Sequence, residues 1–276
     1  MDNAVEKAIE CIWERYSEPL TLTEIAESAL LSRFYFTRLF RDTTGITPGR
    51  FLAAIRIHQA KRLLLCTSMS IADISFAVGY NSLGSFTNQF TASVGISPGR
   101  FRRTSRTGGF SLPSTRPDPR TGVGAVGGTI SLPEGHGNAR VYLGAFRTAM
   151  VQHPPAAAVT VDVPSGRPSC YYLPDVPDGT WFVLAVAVAD GVGPDPWAKR
   201  TSLVGRHDCV VVAADTVTSA AVRLRRERLA DPPVLLALPA LEPLPALVAV
   251  TGCPASSQRP APADDDPSLV LFQPPG

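Results

Sequence analysis

Gly45-Ile46-Thr47-Pro48-Gly49-Arg50-Phe51 returns fifty residues later as Gly95-Ile96-Ser97-Pro98-Gly99-Arg100-Phe101, with only a Thr/Ser exchange. Each copy closes a stretch of the same form: an apolar helical pattern, a short turn, then a second helical pattern with Phe at matched places, Phe36 and Phe40 in one and Phe86 and Phe90 in the other. Self-similarity at a fixed period marks a repeated structural unit, and helix, short turn, helix is the form that sets a side-chain-bearing helix against the major groove. Residues 1–107 therefore read as a duplicated helix-turn-helix unit suited to DNA.

The text around the heptamers fills in the helices. Val5, Ala8, Ile9, Ile12, Trp13 and Tyr16 lie at helical spacing, and Pro19 ends that helix. Thr21-Leu22-Thr23-Glu24 is a capping-box pattern that opens a short scaffold helix, and Ser70-Ile71-Ala72-Asp73 opens its counterpart. Ser32 and Ser82 stand where they can cap the next helices, whose inward faces carry the paired Phe residues. Thr47-Pro48 puts proline at a first helical position, so a helix of about 18 residues, roughly 27 Å long, runs from Pro48 to about Leu65.

Charge is distributed unevenly along the chain. The total is only +2, but residues 32–106 hold eleven basic residues against Asp42 and Asp73, whereas residues 1–31 hold two against seven acids. A local surplus of this size within paired helix-turn-helix text is the electrostatic footprint of a phosphate-binding surface. The part after residue 107 lacks it.

These residues resemble the AraC/XylS family of transcription regulators. The matching text is Leu22-Thr23-Glu24-Ile25-Ala26, Ser32 through Phe40, Thr44-Gly45-Ile46-Thr47-Pro48, Ile71-Ala72-Asp73-Ile74, Gly79-Tyr80-Asn81-Ser82, Phe86, Phe90, and Gly95-Ile96-Ser97-Pro98 to Phe101. The resemblance implies two helix-turn-helix units joined by a long helix, with residues 33–43 and 83–93 entering successive major-groove segments of double-stranded DNA. It places base-contacting positions on Arg33, Phe34, Thr37 and Arg38, and on Leu83, Gly84, Ser85, Thr87 and Asn88. Ser32, Tyr35, Arg41, Ser82, Arg50, Arg100 and Arg102 complete the expected DNA-facing set. Two departures stand out: Leu30 occupies a turn position where the family often has Gly, His or Asn, and Asn88 stands where an Arg is common. Arg33 and Arg38 can pair with guanine edges or phosphates, while Leu83 offers only apolar contact to thymine methyls, so the first unit is expected to supply most of the base discrimination.

Composition changes beyond the helical part. Of 26 prolines only Pro19, Pro48 and Pro98 precede residue 108. Residues 108–126 read as a flexible linker. Past Gly127 the period becomes two, as in Val141, Leu143 and Ala145 and in Val159, Val161 and Val163, while Trp181–Ala189 is apolar on both faces. The expected fold is thus multidomain, α plus β: an all-α double helix-turn-helix domain followed by a small antiparallel β-sandwich. The sandwich would span residues 127–250 with a proline-rich docking segment at its end, and residues 251–276 would be a disordered tail. Gly128-Thr129-Ile130 and Tyr172–Trp181 resemble carboxypeptidase-regulatory or transthyretin-like sandwich repeats.

Several functions are read as excluded. Cys11, Cys66, Cys170, Cys209 and Cys253 are odd in number and scattered, without a partner at metal spacing, and read as reduced thiols of a cytoplasmic, nucleoid-associated protein. The start lacks a secretory pattern, and the apolar stretch 231–250 is too broken by proline and Glu242 to be a membrane span. No catalytic triad, carboxylate pair, phosphate loop or metal-ligand spacing appears, so no enzyme, metal or cofactor is expected; the alkyl-transferring repair proteins would need a Pro-Cys-His-Arg setting that no cysteine has. The role of the β part stays open between an effector site, a homodimer surface and a contact for RNA polymerase. Its aromatics Tyr171, Tyr172, Trp181 and Trp197 read more readily as core than as a pocket lining. An alternative makes the sandwich the working module of a protein-interaction adaptor that the basic part tethers to DNA.

Overall fold

A computed structural model describes residues 2–107, 122–192 and 200–238, all of which fall within one compact unit. Seven helices come first: α1 (Asp2–Arg15), α2 (Leu22–Ser28), α3 (Arg33–Thr44), α4 (Pro48–Cys66), α5 (Ile71–Ala77), α6 (Leu83–Val94) and α7 (Pro98–Thr107). The capping box forms as read: the Thr21 backbone N–H donates to Glu24 at 2.8 Å, and the Glu24 N–H donates to the Thr21 hydroxyl at 3.3 Å. Ser70 and Ser82 accept from the Asp73 and Ser85 backbones in the same way. Ser32 is the N-cap of α3 but makes no side-chain capping bond.

The repeated heptamer has the same work in both units. Gly45 and Gly95 end α3 and α6 with φ of +81° and +93°, a conformation open to glycine at little cost. Phe51 and Phe101, fully buried, then close an aromatic chain: Phe36, Phe40 and Phe51 stack with ring centroids 5.4 Å apart at each step, and Phe86, Phe90 and Phe101 with 5.6 and 5.8 Å. Offset and edge-on aromatic contacts of this kind contribute about 1 kcal/mol each beyond their area. The long helix α4 lies between the units and packs on α1, α2, α3, α5, α6 and α7.

Eight strands follow: β1 (Val123–Ser131), β2 (Ala139–Phe146), β3 (Ala157–Val163), β4 (Ser169–Pro177), β5 (Gly179–Ala189), β6 (Thr201–Val212), β7 (Val217–Ser219) and β8 (Val222–Arg226). They make one sheet in the order β3-β2-β5-β6-β8-β1-β4, with β7 added beside β1. The ends of that path meet, since β3 packs on β4 and the Ser169 hydroxyl donates to the Asp162 carbonyl at 3.0 Å. The expectation of an antiparallel sandwich is corrected here: the sheet is wrapped and barrel-like, and β1 runs parallel to both β7 and β8. A period of two specifies which residues share a face but not whether that face closes on a second sheet or on itself. β1 also begins inside the stretch read as linker; residues 108–121 of that stretch, residues 239–250 of the docking segment, the 251–276 tail, Trp197 and Cys253 lie outside the described residues.

Val141, Leu143, Leu173, Trp181, Val183 and Leu224 fill the barrel interior. The opposite face of β2 and β5 is buried too: Tyr142, Phe146, Leu184 and Val186 are covered by Val151, Leu236 and Leu238. Trp181–Ala189 is apolar on both faces because a strap, residues 230–238, lies across its outer side. The strap is neither helix nor strand, in keeping with its prolines.

The two halves share a core. Ala149 and Met150 from the loop after β2, and Leu235 and Ala237 from the strap, belong to the same buried cluster as Ile55, Leu64, Phe90 and Phe101. The Lys61 ammonium, on α4 and 2 % exposed, donates to the Val234 and Leu236 carbonyls at 3.2 Å each. The Ser93 carbonyl accepts from the His153 N–H at 2.8 Å, and the Val94 carbonyl from the Ala237 N–H at 3.1 Å.

Candidate nucleic-acid interface

Every polar position read as DNA-facing rides on a helix whose other side is pinned by phenylalanine. With Phe36 and Phe40 buried in α3, the helical period turns Arg33, Phe34, Tyr35, Arg38 and Arg41 to solvent, Phe34 being 92 % exposed. With Phe86 and Phe90 buried in α6, Leu83, Gly84, Ser85 and Asn88 are exposed in the same register, and Ser32 and Ser82 are exposed at the two caps. Thr37 and Thr87 are half-buried; the Thr37 hydroxyl donates to the Arg33 carbonyl at 2.8 Å, which keeps its lone pairs as the outward function. Arg33, Phe34, Thr37, Arg38, Arg41 and Asp42 line an open hollow that reaches Leu22 and Thr47.

The guanidinium groups on this surface are loosely engaged. Arg38 approaches Asp42 at 3.9 Å with side chains 86 % and 69 % exposed, a pair worth little in water. Arg33, Arg41, Arg50 and Arg100 are exposed and make no ion pair among the described residues. None of α3, α4, α6 and α7 has an acid in its first turn, while the scaffold helices α2 and α5 carry Glu24 and Asp73 there. The N-terminal ends of α3, α4, α6 and α7 thus carry no compensating acid, the arrangement that suits phosphate.

Not all of the basic surplus serves this surface. Arg102 is half-buried and donates to the Leu64 and Met69 carbonyls at 3.3 and 2.7 Å, so its guanidinium braces the end of α4. Arg56 does the same for α1, donating to the Tyr16 and Glu18 carbonyls at 2.7 Å each. Lys61 is spent on the strap. Sequence cannot separate such bracing cations from free ones, because their carbonyl partners lie tens of residues away.

The turn around Leu30 bears out its odd sequence. Leu30 has φ of +55° and is 88 % exposed, and the corresponding turn of the second unit puts Gly79 at φ +87°. His58, on α4, sits edge-on to the Trp13 ring at 5.8 Å; burial, then the nearby Lys61 and Arg62 cations, push its pKa down to about 4. It is a packing residue.

Residues 25–104 match the family model described as a helix-turn-helix domain. The helical half is an AraC/XylS-type domain. Over 98 residues the chain is 33 % identical to the lactose operon transcription activator of Staphylococcus xylosus, covering 36 % of this chain and 35 % of that protein. Over 102 residues it is 32 % identical to the bifunctional transcriptional activator and DNA repair enzyme AdaA of Bacillus subtilis, covering 37 % and 48 %. A solved AraC-type regulator from Chromobacterium violaceum is similar at 28 % identity and a TM-score of 0.37, covering 40 % of this chain and 96 % of that one. The chain thus spans between about a third and a half of the length of these curated relatives. The family-model match lies in the helical half.

Proposed function

We propose that this chain is a sequence-specific DNA-binding transcription regulator whose α3 and α6 enter successive major-groove segments. One observation carries the reading: two helices in matched settings, each fixed from behind by a buried Phe pair, turn a short polar face outward beside helix N-termini free of acids. A side chain meant to read base edges must be exposed yet held by a rigid element, and Arg33, Arg38 and Asn88 meet both conditions.

The two probes differ in chemistry. α3 carries Arg33, Arg38 and Arg41 against Asp42, whereas α6 carries no charged residue. In this reading the first unit supplies most of the base discrimination through Arg33 and Arg38, with Thr37 and the apolar Phe34 beside them, and Leu83, Gly84, Ser85, Thr87 and Asn88 mainly position the second. Arg50 and Arg100, equivalent residues of the two heptamers, contact phosphates. The barrel then serves as the module through which an effector, a second copy or the polymerase acts. The repair chemistry in the AdaA name is not carried over, because no cysteine of this chain stands in the Pro-Cys-His-Arg setting.

The test compares Arg38→Ala and Asn88→Ala on the same set of duplexes at several salt concentrations. Arg38→Ala is expected to lose about 1–3 kcal/mol on the best site and to relax preference at one base position, with Asn88→Ala losing less. Equal losses of selectivity at both half-sites would remove the asymmetry. A wild-type protein that binds random duplex as tightly as its best site, leaving only the salt-dependent term, would instead favour the tethered adaptor.

A further inference from the structure

A second group of arginines lies on the barrel, beside the end of α3. Gly205 pairs with Leu224 and Val204 with Arg225, so one further step of the ladder sets Arg206 of β6 beside Arg223 of β8. Leu203 and Leu224 belong to the interior and Val204 to the outer cluster, and alternation therefore puts Arg206, Arg223 and Arg225 on the outer face. Arg225 is held by Asp231 through two bonds of 2.6 and 2.7 Å. Arg206 pairs with Asp208 at 2.8 Å, but both side chains are more than a third exposed. Arg223, and Arg226 and Arg228 at the strand's end, are exposed without an ion pair among the described residues, with Glu227 the one acid interspersed. Like charges set side by side on neighbouring strands oppose folding unless a counter-charge arrives.

Their place in the molecule suggests that counter-charge. A Cβ built on Gly45, the residue ending α3, would lie 3.1 Å from the Arg206 guanidinium, and the hollow along the exposed side of α3 ends at Thr47, two residues further on. The arginine row therefore starts where the first reading helix stops. We propose that Arg206 and Arg223, with Arg228, bind the phosphate backbone of the duplex beyond the first half-site, so that the barrel lengthens the DNA footprint on that side. The inference rests on the DNA-reading function proposed above. Exchange of the exposed Asp208 partner for phosphate costs little, since such surface pairs are weak.

The test uses the full chain and three duplexes: the selected site with minimal ends, and the same site extended by about one helical turn on the first-unit or on the second-unit side. Wild type is expected to gain affinity from the first-side extension only. R206Q/R223Q should abolish that gain and lower the salt slope by about two, while binding the minimal duplex within twofold of wild type. R223Q/R228Q, which leaves the residue next to Gly45 intact, should lose part of the gain even if R206Q disturbs packing. No gain from either extension, a gain kept by both variants, or recovery of the arginine row by an acidic protein in competition with DNA would overturn the proposal. Loss of minimal-duplex binding in Arg33→Ala/Arg38→Ala marks the underlying reading as sound whatever the extensions show; full binding by that variant sinks the reading itself.

Discussion

Leu30 and His58 are residues at which local chemistry runs against the fold. A left-handed φ costs a β-carbon-bearing residue roughly 1–2 kcal/mol, and Leu30, 88 % exposed, recovers little by burial. Leu30→Gly is expected to raise stability by about 0.5–1 kcal/mol after the entropy of glycine is discounted, measured by urea unfolding; a loss would mean that Leu30 has a contact of its own. His58 acts through protonation. Its folded pKa of about 4 lies below the unfolded value near 6.5, so the unfolded chain takes up the proton first, and stability present above pH 6.5 is lost as the pH falls towards 4. At pH 5 the loss from this residue is about 2 kcal/mol, and His58→Gln should show that much less destabilisation between pH 7.5 and 5 than wild type. Identical pH profiles for the two proteins would show that His58 is solvated in the folded state. The strain at Leu30 was legible in the sequence as a departure from the turn chemistry. The shifted His58 was not, because its first cause is burial, which depends on packing against distant segments such as Trp13, 45 residues earlier in the chain.

At the level of the element, the heptamer does two jobs with its two glycines. Gly45 ends α3 at φ +81°, and a Cβ there would lie 2.6 Å from the Ala149 Cβ, whereas a Cβ on Gly49, within α4, meets nothing within 4 Å. Gly45→Ala should therefore cost at least about 2 kcal/mol, from conformation and from crowding against the barrel loop. Gly49→Ala should be neutral or stabilise by up to about 1 kcal/mol. Thermal melts of the pair would check this, and equal effects would contradict the assigned roles. The repeat, the caps, the Pro-started helices and the Phe faces were all legible because each is a local signal with its own period or cap residue. For the strands the same reading found the faces of β2, β3 and β5 but left the wrapped sheet and the parallel β1 pairings unread, since pairing order is set by contacts between distant segments.

Over the whole molecule, the barrel is seated on the ends of both reading helices. Ala149 abuts Gly45 at the end of α3, His153 abuts Gly95 at the end of α6, and Lys61 on α4 holds the strap between them. The side chains proposed to face DNA lie on the exposed sides of those helices, and the barrel holds their C-terminal ends, so it can fix the setting of one unit against the other. The sequence held one hint of this docking: Trp181–Ala189 is apolar on both faces, more than a barrel interior alone requires. The partners of that second face could not be named from sequence, because Ala149, Leu235 and Ala237 carry no distinguishing pattern. The most direct measurement is selection of bound sites from a random duplex pool by the full chain. The account predicts a two-part motif with elements about one helical turn apart, the part read by Arg33 and Arg38 more sharply defined than the part read by Asn88. Enrichment of no motif, or of a single element unaffected by Arg33→Ala and Arg38→Ala, would contradict it.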